Sequence, residues 1–212
     1  MYEDLKKELY KAHMNLEKYG LVAYTSGNVS VKVNNHVIIK PSGIPYDELK
    51  AEDMVVLDME GNTVEGKLKP SVDSATHLYL YKNLPDVGSI IHTHSPYASA
   101  FALLSQPIPV YSTAHADVFG VQVPVSNYAP VGSEAIGKVV IEVVNQARAV
   151  LLSKHGVIVM GKDIKEAIRK AIFLEEVAQT AYLARTIGNP EPLDEKEAKR
   201  LYEFHHSNYG QK

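Results

Sequence analysis

The 212-residue chain has no cysteine and no tryptophan. Without thiols there can be no disulfide framework, thiol nucleophile, Cys-ligated zinc or iron–sulfur cluster, so any transition metal must be held by imidazoles and carboxylates. Blocks of one charge are also missing. Lys and Arg number 22 against 25 Asp and Glu, a net charge of -3, with no basic stretch suited to nucleic acid or an anionic membrane. No apolar run approaches the ~20 residues of a membrane span. The start, MYEDLKKELYKAH, lacks the apolar stretch of a signal peptide and the Arg-rich, acid-poor character of a transit peptide. These absences predict a soluble, cytoplasmic chain with neither a nucleic-acid nor a membrane partner. The length predicts a single domain over 1–212, large enough to bury roughly 70% of the unfolded surface without a structural metal. Histidine, with nine residues, is what the chain does have for chemistry.

Leu5, Leu9, Ala12, Leu16 and Tyr19 recur at helical spacing and Gly20 closes that helix. Short β-rich runs follow at 21–25, 29–33 and 37–40, the last two joined by an Asn34-Asn35 turn. A strand at 54–58, a helix at 75–81 and a strand at 89–94 come next, and Ser95-Pro96 opens a short helix reaching Leu104. The stretch 113–117 reads as loop. Ser133 and Glu134 start another helix, 150–153 and 156–160 are strands, and Asp163 with Glu166 is a capping-box-like start for the longest helix, ending near Gly188. A helix from Asp194 to about His205 and a polar tail complete the chain. The early hairpin excludes a purely parallel sheet, so an α/β fold with a mixed sheet covered by helices is expected.

His92 and His94 stand two apart on a strand, so both imidazoles face one side, which suits two ligands of one metal as well as polar residues at a strand end. His155 interrupts the apolar run 150–160 and is followed by Gly156. Three histidines without cysteine match an open catalytic zinc site, and other divalent ions fit the same donors. His77 reads as a surface or hydrogen-bonded helical residue, His13 as structural, His36 as a solvent-facing strand residue, and Asp117 as either a turn residue or a functional one. Three loops, Thr25-Ser26-Gly27-Asn28, Lys40-Pro41-Ser42-Gly43 and Lys69-Pro70-Ser71-Val72-Asp73, combine small residues, hydroxyls and lysine. Neither a P-loop nor a GxGxxG turn is present. Each loop alone reads as a turn; together, beside the histidines, they suggest a small phosphorylated ligand.

The pieces TSGNVS (25–30), KPSG (40–43), DMVVLD (53–58), KPSVDSATH (69–77), HTHS (92–95), TAHADVFG (113–120), KHG (154–156) and YGQ (209–211) occur in the order of one family. The chain resembles, over its whole length, the class II aldolase and L-ribulose-5-phosphate 4-epimerase family. The resemblance implies a three-layer α/β/α sandwich with a largely antiparallel central sheet, and a homo-oligomer, a tetramer with active sites between subunits. It implies Zn2+ or another divalent ion on His92, His94 and His155, with Asp73 at the carboxylate beside the metal. Gly27, Asn28, Lys40, Ser42, Gly43, Ser71 and Val72 fall on substrate and phosphate contacts, and Asp117 and Tyr209 on an acid/base pair. Asp73, the His115-Ala116-Asp117 run and YGQ are similar to the epimerases; Ser26 and the short stretch between Pro124 and Val139 are similar to the aldolases. The implied reaction is C4 epimerisation of L-ribulose 5-phosphate to D-xylulose 5-phosphate. The alternatives are aldol cleavage of a deoxyketose 1-phosphate such as L-fuculose 1-phosphate, a sugar-phosphate dehydratase, and a non-catalytic binding module like the adducin head.

Overall fold

The computed structural model describes residues 2–208. Among the described residues, eight strands form one sheet: β1 (Asn28–Val33), β2 (His36–Ile39), β3 (Val55–Asp58), β4 (Thr63–Glu65), β5 (Ser89–Thr93), β6 (Val125–Ser126), β7 (Ala149–Leu152) and β8 (Val157–Gly161). Their spatial order is β4-β3-β2-β1-β5-β8-β7-β6, and every pairing is antiparallel except β6 with β7. The helices are α1 (Glu3–Lys18), α2 (Ser74–Asn83), α3 (Pro96–Leu103), α4 (Thr113–Phe119), α5 (Ala135–Val143), α6 (Ile164–Ile187) and α7 (Glu195–Asn208).

Strand alternation divides the core in two. Val29, Val31, Ile91, Val157 and Val159 pack with apolar residues of α1, α3, α4 and α6. Ile90, Ile158 and Met160 point the other way, toward α2 and α5. This is the expected sandwich, and its period-2 pattern places residues 90 and 92 on the same face. Each fully buried aliphatic side chain contributes roughly 1.5–3 kcal/mol against exposure.

Two expectations fail locally. The run 21–25 is irregular rather than extended: Leu21 is buried, but Tyr24 takes a positive φ of 57°. The stretch 113–117 is helical, because the Ser112 side chain accepts from the His115 N–H at 3.2 Å and Gly120 closes the helix in the left-handed region. His36 is half-buried, with the Tyr2 hydroxyl 3.1 Å from its Nδ1. No helix among the described residues is long and apolar enough to cross a membrane.

Candidate metal centre

β1 and β5 pair so that Asn28 lies opposite His92, and β5 pairs with β8 so that Thr93 lies opposite Val157. The strand ends therefore bring His92, His94 and the turn before β8 to one edge of the sheet. His92, His94 and His155 each offer a nitrogen within 4.8 Å of the others, and their ring centroids lie 4.8 to 5.1 Å apart. Gly156 makes the approach possible: a Cβ there would sit 2.5 Å from the Thr93 carbonyl oxygen and 2.9 Å from the His94 ring. Lys154, just before, takes a positive φ of 60° to turn the chain.

The donor chemistry fits a divalent cation. His92 donates from Nδ1 to the Val157 carbonyl at 2.9 Å, which fixes the tautomer and leaves the Nε2 lone pair facing His94 Nε2 at 2.9 Å. Nδ1 of His155 is buried without a hydrogen-bond partner among the described residues. Burial, with smaller contributions from His94 and His155, pushes His92 down to about 3 against the opposing pull of Asp73. Burial also lowers His94 and His155. All three are neutral near pH 7, the form that ligates metals.

Asp73 stands at the start of α2, where it makes no side-chain cap. Its Oδ2 accepts from Asn28 Nδ2 at 2.8 Å, and the same amide reaches Ser71 Oγ at 3.2 Å. Loops 40–43 and 69–71 are zipped by the Pro41–Pro70 bridge, by Ser42 N–H to the Lys69 carbonyl (2.9 Å) and by Ser71 N–H to the Lys40 carbonyl (3.0 Å). Loops 25–28, 40–43 and 71–73 line, with the three histidines and Val131, a cavity of about 310 Å³, adequate for a small phosphorylated ligand. Gly27 is required by both conformation and space, with φ +70° and a notional Cβ 2.8 Å from the His92 carbonyl oxygen. A larger groove of about 690 Å³ lies against α1, but its lining mixes Lys6 and Lys67 with Glu3 and Glu65 and offers no comparable donor set.

Three buried polar residues near this cavity have structural roles. Lys40 borders it, yet its ammonium donates to the carbonyls of Ile44 (2.9 Å), Thr25 and Pro41 (3.4 Å each), tying the first two loops together. His77 is buried, its Nδ1 2.7 Å from Ser30 Oγ, which also meets the Tyr81 hydroxyl at 2.8 Å. His13 donates from Nδ1 to the Leu9 carbonyl at 2.8 Å and accepts the Val29 N–H at 2.9 Å, joining α1 to β1 beside Asn28. His13 is thus structural, as its place on the apolar face of α1 implies, and His77 is the hydrogen-bonded helical residue of the two alternatives; nothing local marks His77 or Lys40 as buried. Asp117 does not line this cavity. It is half-buried on α4, against α7, with Oδ2 3.7 Å from His205 Nδ1. Tyr209 lies outside the described residues.

Residues 7–182 match the class II aldolase and adducin N-terminal domain family. Among solved structures, an L-fuculose 1-phosphate aldolase is 34% identical, with a TM-score of 0.87 over 94% of this chain and 95% of that one. The L-fuculose-1-phosphate aldolase from Thermus thermophilus is 26% identical, with a TM-score of 0.77 over 88% of this chain and 98% of that one. YgbL from Klebsiella pneumoniae, for which aldolase, epimerase and decarboxylase are all named, is 28% identical, with a TM-score of 0.82 over 95% of this chain and 99% of that one.

Proposed function

The chain belongs to the class II aldolase and adducin N-terminal domain family, and from that premise we propose that it breaks and remakes the C3–C4 bond of a ketose phosphate, with C4 epimerisation of L-ribulose 5-phosphate to D-xylulose 5-phosphate as the net reaction. The observation that carries this reading is the convergence of three neutral imidazoles and the Asp73 carboxylate on a cavity walled by hydroxyl- and amide-bearing loops.

The C4 hydrogen of such a ketose is not acidic, because the carbonyl is at C2. Removing the C4 hydroxyl proton instead lets the C3–C4 electron pair pass to C3, giving the enediolate of dihydroxyacetone and the aldehyde glycolaldehyde phosphate. Turning the aldehyde and re-adding C3 to its other face inverts C4, and a second proton donor quenches the new alkoxide. A divalent ion, zinc or another of similar preference, held by His92, His94 and His155 with Asp73 beside it, would supply Lewis acidity toward the ketose oxygens. The chain's residues do the rest. Asn28 holds Asp73 in one orientation. Gly27, Ser42, Gly43, Ser71 and Val72 offer backbone and hydroxyl groups to the phosphate, and Lys40 keeps two of those loops in register.

Inversion needs acid/base groups on both faces of the aldehyde, and Asp117 and Tyr209 suit the pair; a phenol with a pKa near ~10 is a natural donor to an alkoxide. Since Asp117 faces α7 rather than its own subunit's cavity, the reading assigns this pair to a neighbouring copy in a homotetramer. Each 212-residue chain is then one domain but half of an active site. A second reading, aldol cleavage of L-fuculose 1-phosphate with release of the aldehyde, is favoured by the 34% identical relative of that name. The complete donor set argues against a purely adducin-like binding role.

Incubation of the metal-loaded protein with each ketose phosphate separates these readings. Xylulose 5-phosphate from ribulose 5-phosphate supports the epimerase. Dihydroxyacetone phosphate accumulating from L-fuculose 1-phosphate, with no pentose turnover, replaces it with the aldolase.

A further inference from the structure

We propose that Glu175, in the middle of α6, is a positioning residue for the metal centre, acting through the N-terminus of α3. The inference rests on the reading of the three histidines as metal ligands and extends it to a side chain that touches neither metal nor substrate.

His94 is not on a strand. β5 ends at Thr93 and α3 begins at Pro96, so His94 and Ser95 are the whole connection between them. The upstream end is fixed by the sheet, through the register of Thr93 with Val157. The downstream end has no local anchor of the usual kind: Ser95, at the N-cap position, makes no side-chain cap, and Pro96 has no N–H to offer. The next two N–H groups, of Tyr97 and Ala98, donate to the two oxygens of the Glu175 carboxylate, at 2.8 and 3.0 Å. The Ser99 N–H closes onto the Ser95 carbonyl at 2.9 Å, completing the first turn.

One carboxylate thus satisfies two N–H groups that every helix start leaves open, and meets the positive end of the helix dipole. Bonds to a charged acceptor are roughly twice as strong as neutral ones. Because α6 also packs through Leu174, Val177 and Ala178 into the main core, the clamp ties the two residues that aim His94 to a rigid helix. If the clamp is lost, Thr93 stays in the sheet while the start of α3 is freed. The His94 residue is exposed on its outer side and its ring rests mainly against His92 and His155, so without the clamp it loses its fixed aim toward them.

The test strips the protein with a chelator and titrates it with cobalt(II) alone, reading affinity by competition with a chromogenic chelator and ligand geometry from the d–d absorption bands. Glu175→Gln, whose amide nitrogen opposes one of the two N–H groups, should bind about ten- to a hundred-fold more weakly and show shifted bands. Glu176→Gln, the same charge change at the exposed neighbouring position, should bind as the native chain does. Urea midpoints of the metal-free proteins show that each variant folds; if Glu175→Gln does not, Glu175→Asp, too short to span both N–H groups, carries the same two readouts. Native cobalt affinity and spectrum in the folded Glu175 variant overturn the inference, and so does equal weakening by Glu176→Gln. A native chain that takes up no cobalt overturns instead the metal reading on which the inference stands.

Discussion

Acid should destabilise the metal-free protein well above the pH at which carboxylates protonate, because His13, His77 and His115 are buried as neutral rings outside the metal group. Burial pushes His13 down to about 3, against a smaller upward pull from its bond to Leu9. It pushes His77 and His115 down to about 4. An unfolded histidine titrates near ~6.5, so below that pH the unfolded chain holds more protons than the native one. Stability is therefore full above about pH 6.5 and falls as pH drops toward the native values. Each histidine costs about 1.4 kcal/mol per pH unit, hence about 2 kcal/mol at pH 5 and about 6 kcal/mol for the three. That is a large part of the ~5–15 kcal/mol that holds a domain together. Urea unfolding followed by far-UV circular dichroism, with chelator present, measures it. Little change is expected from about pH 8 to 7 and a slope of at least about 4 kcal/mol per unit between about pH 6 and 5, since in the metal-free protein His92, also down to about 3, adds to the three. His115→Gln, which keeps a donor for the Val121 carbonyl that His115 Nε2 meets at 3.1 Å, should flatten the slope by one histidine's share. Stability that stays level from pH 7 to 5 would refute the reasoning, since these rings would then be titrating freely in the native state.

Gly27→Ala combines a positive φ with a Cβ clash against the His92 carbonyl and Val22, so it should lower the melting temperature by the equivalent of about 1–3 kcal/mol and reduce metal content by elemental analysis. His92→Ala should abolish metal retention through dialysis, while chelation of the native protein should stop turnover and added zinc, cobalt or manganese should restore it. Asp117→Asn and Tyr209→Phe should each slow epimerisation by about 10²- to 10⁴-fold with metal content intact; normal turnover in either removes that residue from the acid/base pair. Mixed tetramers of Asp117→Asn and His94→Asn chains should regain activity that neither shows alone, and no regain would place Asp117 outside the neighbour's site.

What was legible in the sequence was what is local or periodic. The hairpin at Asn34, whose φ of 52° suits Asn, and the helix start at Asp163, whose side chain accepts the Glu166 N–H at 2.8 Å, carry their signals within a few residues. The three histidines are visible in one dimension as a His-x-His spacing and a polar break in an apolar run, although His94 lies one residue past the end of β5 rather than on the strand as expected. The helix at 113–119 carries too little periodicity in seven residues to outweigh its polar His115 and Asp117, although Ser112 and Gly120 mark its ends. Leu21 to Thr25 has strand composition, but the chain must turn there to bring Gly27 against His92. The burial of His77 and the Glu175 clamp depend on contacts 47 to 78 residues apart, which no short window of sequence contains, and the inward turn of Lys40 is set by carbonyls as near as Pro41 and Ile44 that carry no side-chain signal.

The central claim is that C4 is inverted by breaking its bond to C3, not its bond to hydrogen, and the reaction of L-ribulose 5-phosphate in deuterium oxide, followed by proton NMR, tests it most directly. The account predicts D-xylulose 5-phosphate that retains protium at C4. Deuterium at C4, or no xylulose 5-phosphate from the metal-loaded protein, would contradict it.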